Sequence, residues 1–220
     1  MNPDMMETSI AIVGGPQSGK SAFAIGLQES FADGPVAVID DYVDGIMEQI
    51  DGVAGFRGNY ISNLAIALGR IGLEKHAEKD HATVITVGSL LETSVYAAMT
   101  FETLQKQVDS DADKSDLLRR VEATMKTLAC FYMDSFFYDF VFYCGPTGHA
   151  NLADFETQFE KNLQASFQAF ALVPVIPLPT EGGDLKEITD NRVKTAIANI
   201  EEANSEGDAQ GSRTPLKKAV

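Results

Sequence analysis

Tryptophan is absent from this chain, cysteine occurs twice, and basic residues are outnumbered, with 17 Lys and Arg against 32 Asp and Glu. Each shortage excludes something. Two thiols, Cys130 and Cys144, are too few to staple a small secreted scaffold and show no paired metal-ligand spacing, so reduced thiols in a cytoplasmic setting are expected. A net charge of −15 repels phosphate backbones and anionic lipid, and basic residues cluster only as the pairs Arg119-Arg120 and Lys217-Lys218. Nucleic acid and membrane surfaces are therefore disfavoured as partners. Long apolar runs are lacking too: "AFALVPVIPLP" is cut by prolines and falls short of a membrane span. The opening "MNPDMMETS" has no basic stretch followed by an apolar one, and no secretion signal is expected. Without tryptophan, the 13 Phe and 6 Tyr must supply the large apolar surfaces of the core.

What is present describes a folded α/β chain. Hydrophobic residues make up 45% and charged residues 22%, ordinary for a globular domain. Five short runs, at 9–13, 36–40, 82–87, 139–144 and 173–178, are continuously apolar instead of alternating, as expected of strands covered on both faces. Between them, 19–30, 60–78, 90–107, 114–133, 152–170 and 184–203 carry apolar residues at three- and four-residue intervals and read as helices. Strands alternating with helices imply βαβ units. The expected fold is a three-layer α/β/α sandwich around a mainly parallel five-stranded sheet, forming one domain over 1–203 with a disordered tail over 204–220. Residues 41–60, with four glycines among aromatics and acids, read as a mobile loop with a short helix.

The stretch "SIAIVGGPQSGKSAFAIGLQ", residues 9–28, carries the chemistry. Its Gly14, Gly15, Pro16, Gln17, Ser18, Gly19, Lys20 and Ser21 fit the Walker A pattern G-x-x-x-x-G-K-[ST]. Glycines let backbone amides curl toward an anion, lysine reaches the β- and γ-phosphates, the serine hydroxyl ligates Mg²⁺, and the helix that follows aims its positive end at the same place. An apolar strand precedes the loop and an amphipathic helix follows it, as the pattern requires.

"GGPQSGKS" is similar to the "GGPGSGKS" loops of P-loop NTPases, particularly small-molecule kinases, with Gln17 standing where those loops often have glycine. "VITVGSLLETSVYAAM" and "YDFVFYCGP" resemble segments of nicotinamide-riboside-kinase-like and deoxynucleoside-kinase-like domains. The resemblance implies ATP and Mg²⁺ as cofactors, a nucleotide-binding set of Gly14 to Ser21 with Ala22 and Arg192, and a nucleoside, nucleotide or similar small metabolite as phosphate acceptor. Arg192 matches the region where such kinases pack a basic side chain against adenine. Asp40 and Asp41, at the end of the second strand, stand where these kinases carry an acidic base; Ser21, Asp40 and Glu92 are the candidate metal-side groups. Two departures matter. Gly88 and Ser89 replace the acid and arginine at the third strand's tip, leaving Glu92 a turn further on either to reach Mg²⁺ through water or to close a capping box with Ser89. The lid region, 143–170, contains no arginine, so Arg119, Arg120 or Arg57 would have to complete a cationic clamp. His149 near the expected crevice is a further candidate contact.

Two functions follow from this. The first is an ATP-dependent small-molecule kinase, in which Lys20, Asp40 or Asp41, Arg119 and Arg120 carry the transfer. The second, favoured by the missing strand-tip acid and the arginine-poor lid, is a weak or inactive P-loop ATPase working as a nucleotide-dependent interaction module. The oligomeric state is left open, a homodimer included.

Overall fold

The computed structural model describes residues 8–31, 34–40, 60–108, 116, 119–120, 123–124, 127, 138–147, 154–170 and 174–209. The elements run β1 (Thr8–Val13), α1 (Lys20–Ser30), β2 (Val36–Ile39), α2 (Tyr60–Ala77), β3 (Thr83–Val87), α3 (Leu90–Val108), β4 (Phe140–Tyr143), α4 (Asp154–Phe170), β5 (Val175–Pro177) and α5 (Leu185–Ala209). The five strands form one sheet in the order β2-β3-β1-β4-β5, and every neighbouring pair is parallel.

The absence of alternation in the strand sequences is explained by two apolar layers. Along β1, Ile10 and Ile12 face one side and Ala11 and Val13 the other, and all four are fully buried. The first side packs Ile85, Val87 and Phe142 of the neighbouring strands against Phe23 and Leu27 of α1 and Ala196 and Ile200 of α5. On the second side Ala11, Val13 and Val141 meet Ala67 of α2 and Leu90 and Ala97 of α3. A further cluster joins Leu91 and Val95 of α3 to Phe159 and Leu163 of α4. The result is a three-layer α/β/α sandwich of P-loop NTPase type. Aromatic rings take the place left by tryptophan: Phe142 stacks on Phe140 and meets Phe23 edge-on at 6.1 Å.

Parallel strands deliver all their carboxyl ends to one rim, where open α/β sheets place their ligand crevices. Strand boundaries agree with the expected ones to within two residues. Helix α5 is longer than expected: residues 204–209 continue it instead of beginning a tail, and 210–220 lie outside the described residues. Of the expected helix at 114–133, the described positions Asp116, Arg119, Arg120, Ala123, Thr124 and Thr127 are all helical. Most of the glycine-rich stretch, 41–59, lies outside the described residues.

Candidate functional site

The loop leaving β1 is curled by two left-handed positions, Gln17 (φ 59°) and Gly19 (φ 79°). Gly14 lies so close to the Cys144 carbonyl, at the end of β4, that a side chain there would collide with backbone. Gly19 is the N-cap of α1 and supplies no side-chain hydrogen bond; the helix's first turn contains no acid. The first intrahelical bond, from the Phe23 amide to the Gly19 carbonyl at 3.1 Å, leaves the amides before it for another acceptor. Lys20 folds back over the loop, its Nζ donating to the carbonyls of Gly14 (2.5 Å) and Gly15 (2.8 Å). An uncapped helix start, a loop with two left-handed positions and a lysine folded over it are the features from which anion-binding turns, here called a cradle, are built.

Three side chains not adjacent in sequence brace this cradle. Ser89 caps α3 by accepting from the amides of Leu91 (3.1 Å) and Glu92 (3.4 Å). The Glu92 carboxylate then reaches across to the loop, accepting from the Gly14 amide at 2.7 Å and standing 4.0 Å from Lys20 Nζ. Burial pushes the Glu92 carboxyl above its usual range, against the pull of Lys20, Arg70 and the Gly14 amide. Gly88, at φ 77°, holds a conformation that a side chain rarely adopts, and a Cβ there would press on the ends of Arg70 (2.9 Å) and Glu92 (3.1 Å). The strand-tip position is thus filled from α2 and α3. Arg70, buried on α2, escaped the sequence argument because nothing in a polar residue on an amphipathic helix shows which strand tip it meets.

On the other side of the loop, α4 presents Glu160. Its Oε1 accepts from the Tyr143 hydroxyl, which in turn accepts from Gln164 Nε2 at 2.9 Å. Among the described residues its buried Oε2 has no hydrogen-bond partner, and it would lie 2.7 Å from a Cβ on Gly15. Burial and this hydrogen bond push the Tyr143 hydroxyl above its usual range; the Tyr96 hydroxyl is pushed up by burial and by the charges of Glu92, Glu156 and Glu160. Beneath the loop, Arg192 of α5 is 1% exposed. It donates to three backbone carbonyls: Ser18 through Nη1, Pro179 through Nε at 2.8 Å, and Gly145 through Nη2 at 3.1 Å.

The residues singled out in the sequence are therefore distributed as follows. Gly14 to Ala22, Lys20, Glu92 and Arg192 come together at the loop, with Ser21 and Ala22 exposed on the first turn of α1. Asp40 is half-buried just beyond β2; Asp41, Arg57 and His149 lie outside the described residues. Arg119 and Arg120 are exposed, and Arg120 is engaged by Asp116 at 2.7 Å. Cys144 is buried and its thiol is pushed up to about 11, which makes it a small core residue and a poor nucleophile. Among the described residues no cluster of three His, Cys, Asp or Glu could hold a metal ion. Mg²⁺ ordinarily needs one or two protein oxygens and takes the rest from phosphate and water, and the exposed Ser21 hydroxyl beside the cradle fits that donor set. No helix among the described residues is long and apolar enough to cross a membrane.

No protein-family profile and no curated protein matches this chain. Solved structures do. NadR protein in complex with NAD and AMP-PNP superposes with a TM-score of 0.58 at 16% identity, covering 90% of this chain and 49% of that one. NadR protein in complex with NR gives 0.56 at 14%, covering 86% and 49%. Thymidylate kinase from Candida albicans gives 0.53 at 12%, covering 91% and 93%. This chain thus spans about half the length of the NadR chains. At such identities the likeness is one of fold: the chain has a P-loop NTPase-like fold related to kinase-type structures.

Proposed function

We propose that this protein binds a magnesium nucleoside triphosphate, ATP first among them, on the loop 14–21 and transfers its γ-phosphoryl to a small metabolite such as a nucleoside or nucleotide. The observation that carries this is the cradle itself: the uncapped start of α1, the curled amides before it and Lys20 folded over them. Lys20 would exchange its two carbonyl partners for phosphate oxygens, and the loop amides would take the rest of the phosphate charge. Mg²⁺, held by the Ser21 hydroxyl with Asp40 and Glu92 as further candidates, would neutralise charge on the transferring group. Asp40 or Asp41 would accept the acceptor's hydroxyl proton. Fold kinship with kinase-type structures supports the class of reaction proposed.

One observation favours a second reading, a slow ATPase acting as a nucleotide-dependent module. The helix beside the loop offers the Glu160 carboxylate, not a cation, to the phosphate region. Incubation with γ-labelled ATP, Mg²⁺ and a panel of nucleosides, nucleotides and pyridine ribosides separates the two. Label on one acceptor establishes the kinase; label released only as free phosphate establishes the ATPase. Lys20→Ala should weaken MgATP binding by about 100-fold or more. Unchanged affinity in that variant removes the loop as the site.

A further inference from the structure

We propose that Arg192 is a positioning residue of the phosphate loop: it clamps the Ser18–Gly19 peptide and lends the anion cradle a second, concealed positive charge. The inference rests on the nucleotide reading above and assigns to Arg192 a role on the phosphate side, not the adenine side.

Four observations carry it. Arg192 lies on the last helix, 174 positions from the loop it touches, and is 1% exposed. Its donors run to three carbonyls that follow three different strands: Ser18 after β1, Gly145 after β4 and Pro179 after β5. Among the described residues no carboxylate pairs with it, so its charge is balanced by carbonyl dipoles alone. An apolar side chain of similar size would fill the space without the desolvation penalty of a buried guanidinium, so packing alone does not call for arginine here. Finally, Gly19 leaves room for the clamp, since a Cβ there would lie 3.3 Å from Nη1.

The geometry gives the charge a use. No cis peptide occurs among the described residues, and in a trans peptide the carbonyl and the following N–H point opposite ways. With the Ser18 carbonyl held by Arg192, the Gly19 N–H is aimed away from the guanidinium. That amide is one of those assigned to the phosphates, so the clamp orients it before ligand arrives and lowers the cost of ordering the loop. The charge acts in the same place as Lys20: burial raises the Cys144 thiol, beneath Gly14, and Arg192 and then Lys20 pull against that rise.

The test uses the full chain, with calorimetric titration of MgATP and of inorganic pyrophosphate into wild type, Arg192→Lys and Arg192→Met, and circular dichroism and melting recorded for each. Arg192→Lys keeps charge and stem but not the three-donor fork; Arg192→Met keeps the bulk alone. Expected are losses of about 10-fold for Arg192→Lys and about 100-fold for Arg192→Met, equal for both ligands. A lower melting temperature with unchanged pyrophosphate affinity would reduce Arg192 to a structural role and overturn the proposal. A loss with MgATP but not with pyrophosphate would place it at the base and overturn it equally. Should Arg192→Met melt below the assay temperature, Arg192→Lys decides. Absence of affinity in the wild type itself removes the nucleotide reading and the clamp together, whereas tight wild-type binding with unaffected variants removes only the clamp.

Discussion

Gln17 carries the clearest local cost in the loop. A non-glycine residue at φ 59° loses roughly 1 kcal/mol to contact between its Cβ and the backbone, in a position that glycine occupies freely. Gln17→Gly should therefore be neutral to stabilising by about 1 kcal/mol, and Gln17→Val, with a branched Cβ, destabilising by more than that; urea midpoints measure both. Glu92 sets a pH dependence whose sign follows from its burial. Burial holds its carboxyl above the ordinary 4.5 in the folded chain, so above 4.5 the native state keeps its proton longer than the unfolded chain does, and stability falls as pH rises until the folded carboxyl has ionised. Glu92→Gln removes this slope. The variant should gain on wild type as pH climbs above 4.5, and the difference should be flat below 4.5. Parallel denaturation curves across that range would contradict the assignment.

Helix α4 presses the Glu160 carboxyl against the loop 14–21, and on the nucleotide reading proposed above this acid would oppose the filling of the loop. The Glu160 Oε2 near Gly15 would oppose an incoming phosphate through a poorly screened field. Glu160→Gln retains an acceptor for the Tyr143 hydroxyl and should tighten MgATP binding by about 3- to 10-fold, read by calorimetry at low salt. Elements of this kind mark the limit of what the sequence discloses. The loop was legible because its pattern is local, eight consecutive residues between a strand and a helix. The strands were legible because burial on both faces leaves a continuous apolar run. The sequence offers Glu92 as a capping partner of Ser89 or as a group reaching Mg²⁺ through water, and Ser89 does cap α3, but the carboxylate's partner is an amide 78 positions away. Arg70 and Glu160 were missed altogether. Each is a single polar residue on an otherwise ordinary amphipathic helix, and its meaning arises only when two helices dock on the sheet. The longer reach of α5 was hidden by "NSEGDA", whose small polar residues have weak helix preference of their own.

At the scale of the whole molecule, a surplus of acids is spread along a single chain, and self-repulsion should be measurable. Raising NaCl from about 0.05 to 0.5 M shortens the Debye length from roughly 14 Å to 4 Å and should raise the melting temperature by about 2 to 4 °C, if the net charge of −15 is the dominant field. A melting temperature that falls with salt would instead point to attractive pairs. The strand order has a practical corollary. Gly14, Asp40, Gly88, Cys144 and Leu178 each follow a strand at the same rim, while the far rim is stitched by plain backbone bonds from Thr8 to Ala82 (2.8 Å), Asp139 to Ser9 (2.8 Å) and Ala82 to Pro35 (3.0 Å). Gly34 sits on that far side, and among the described residues nothing lies within 4 Å of a Cβ added there. A cysteine introduced at this point offers a handle for a fluorophore or a sensor chip, so that the protein can be tethered by its idle end while the other meets the solution.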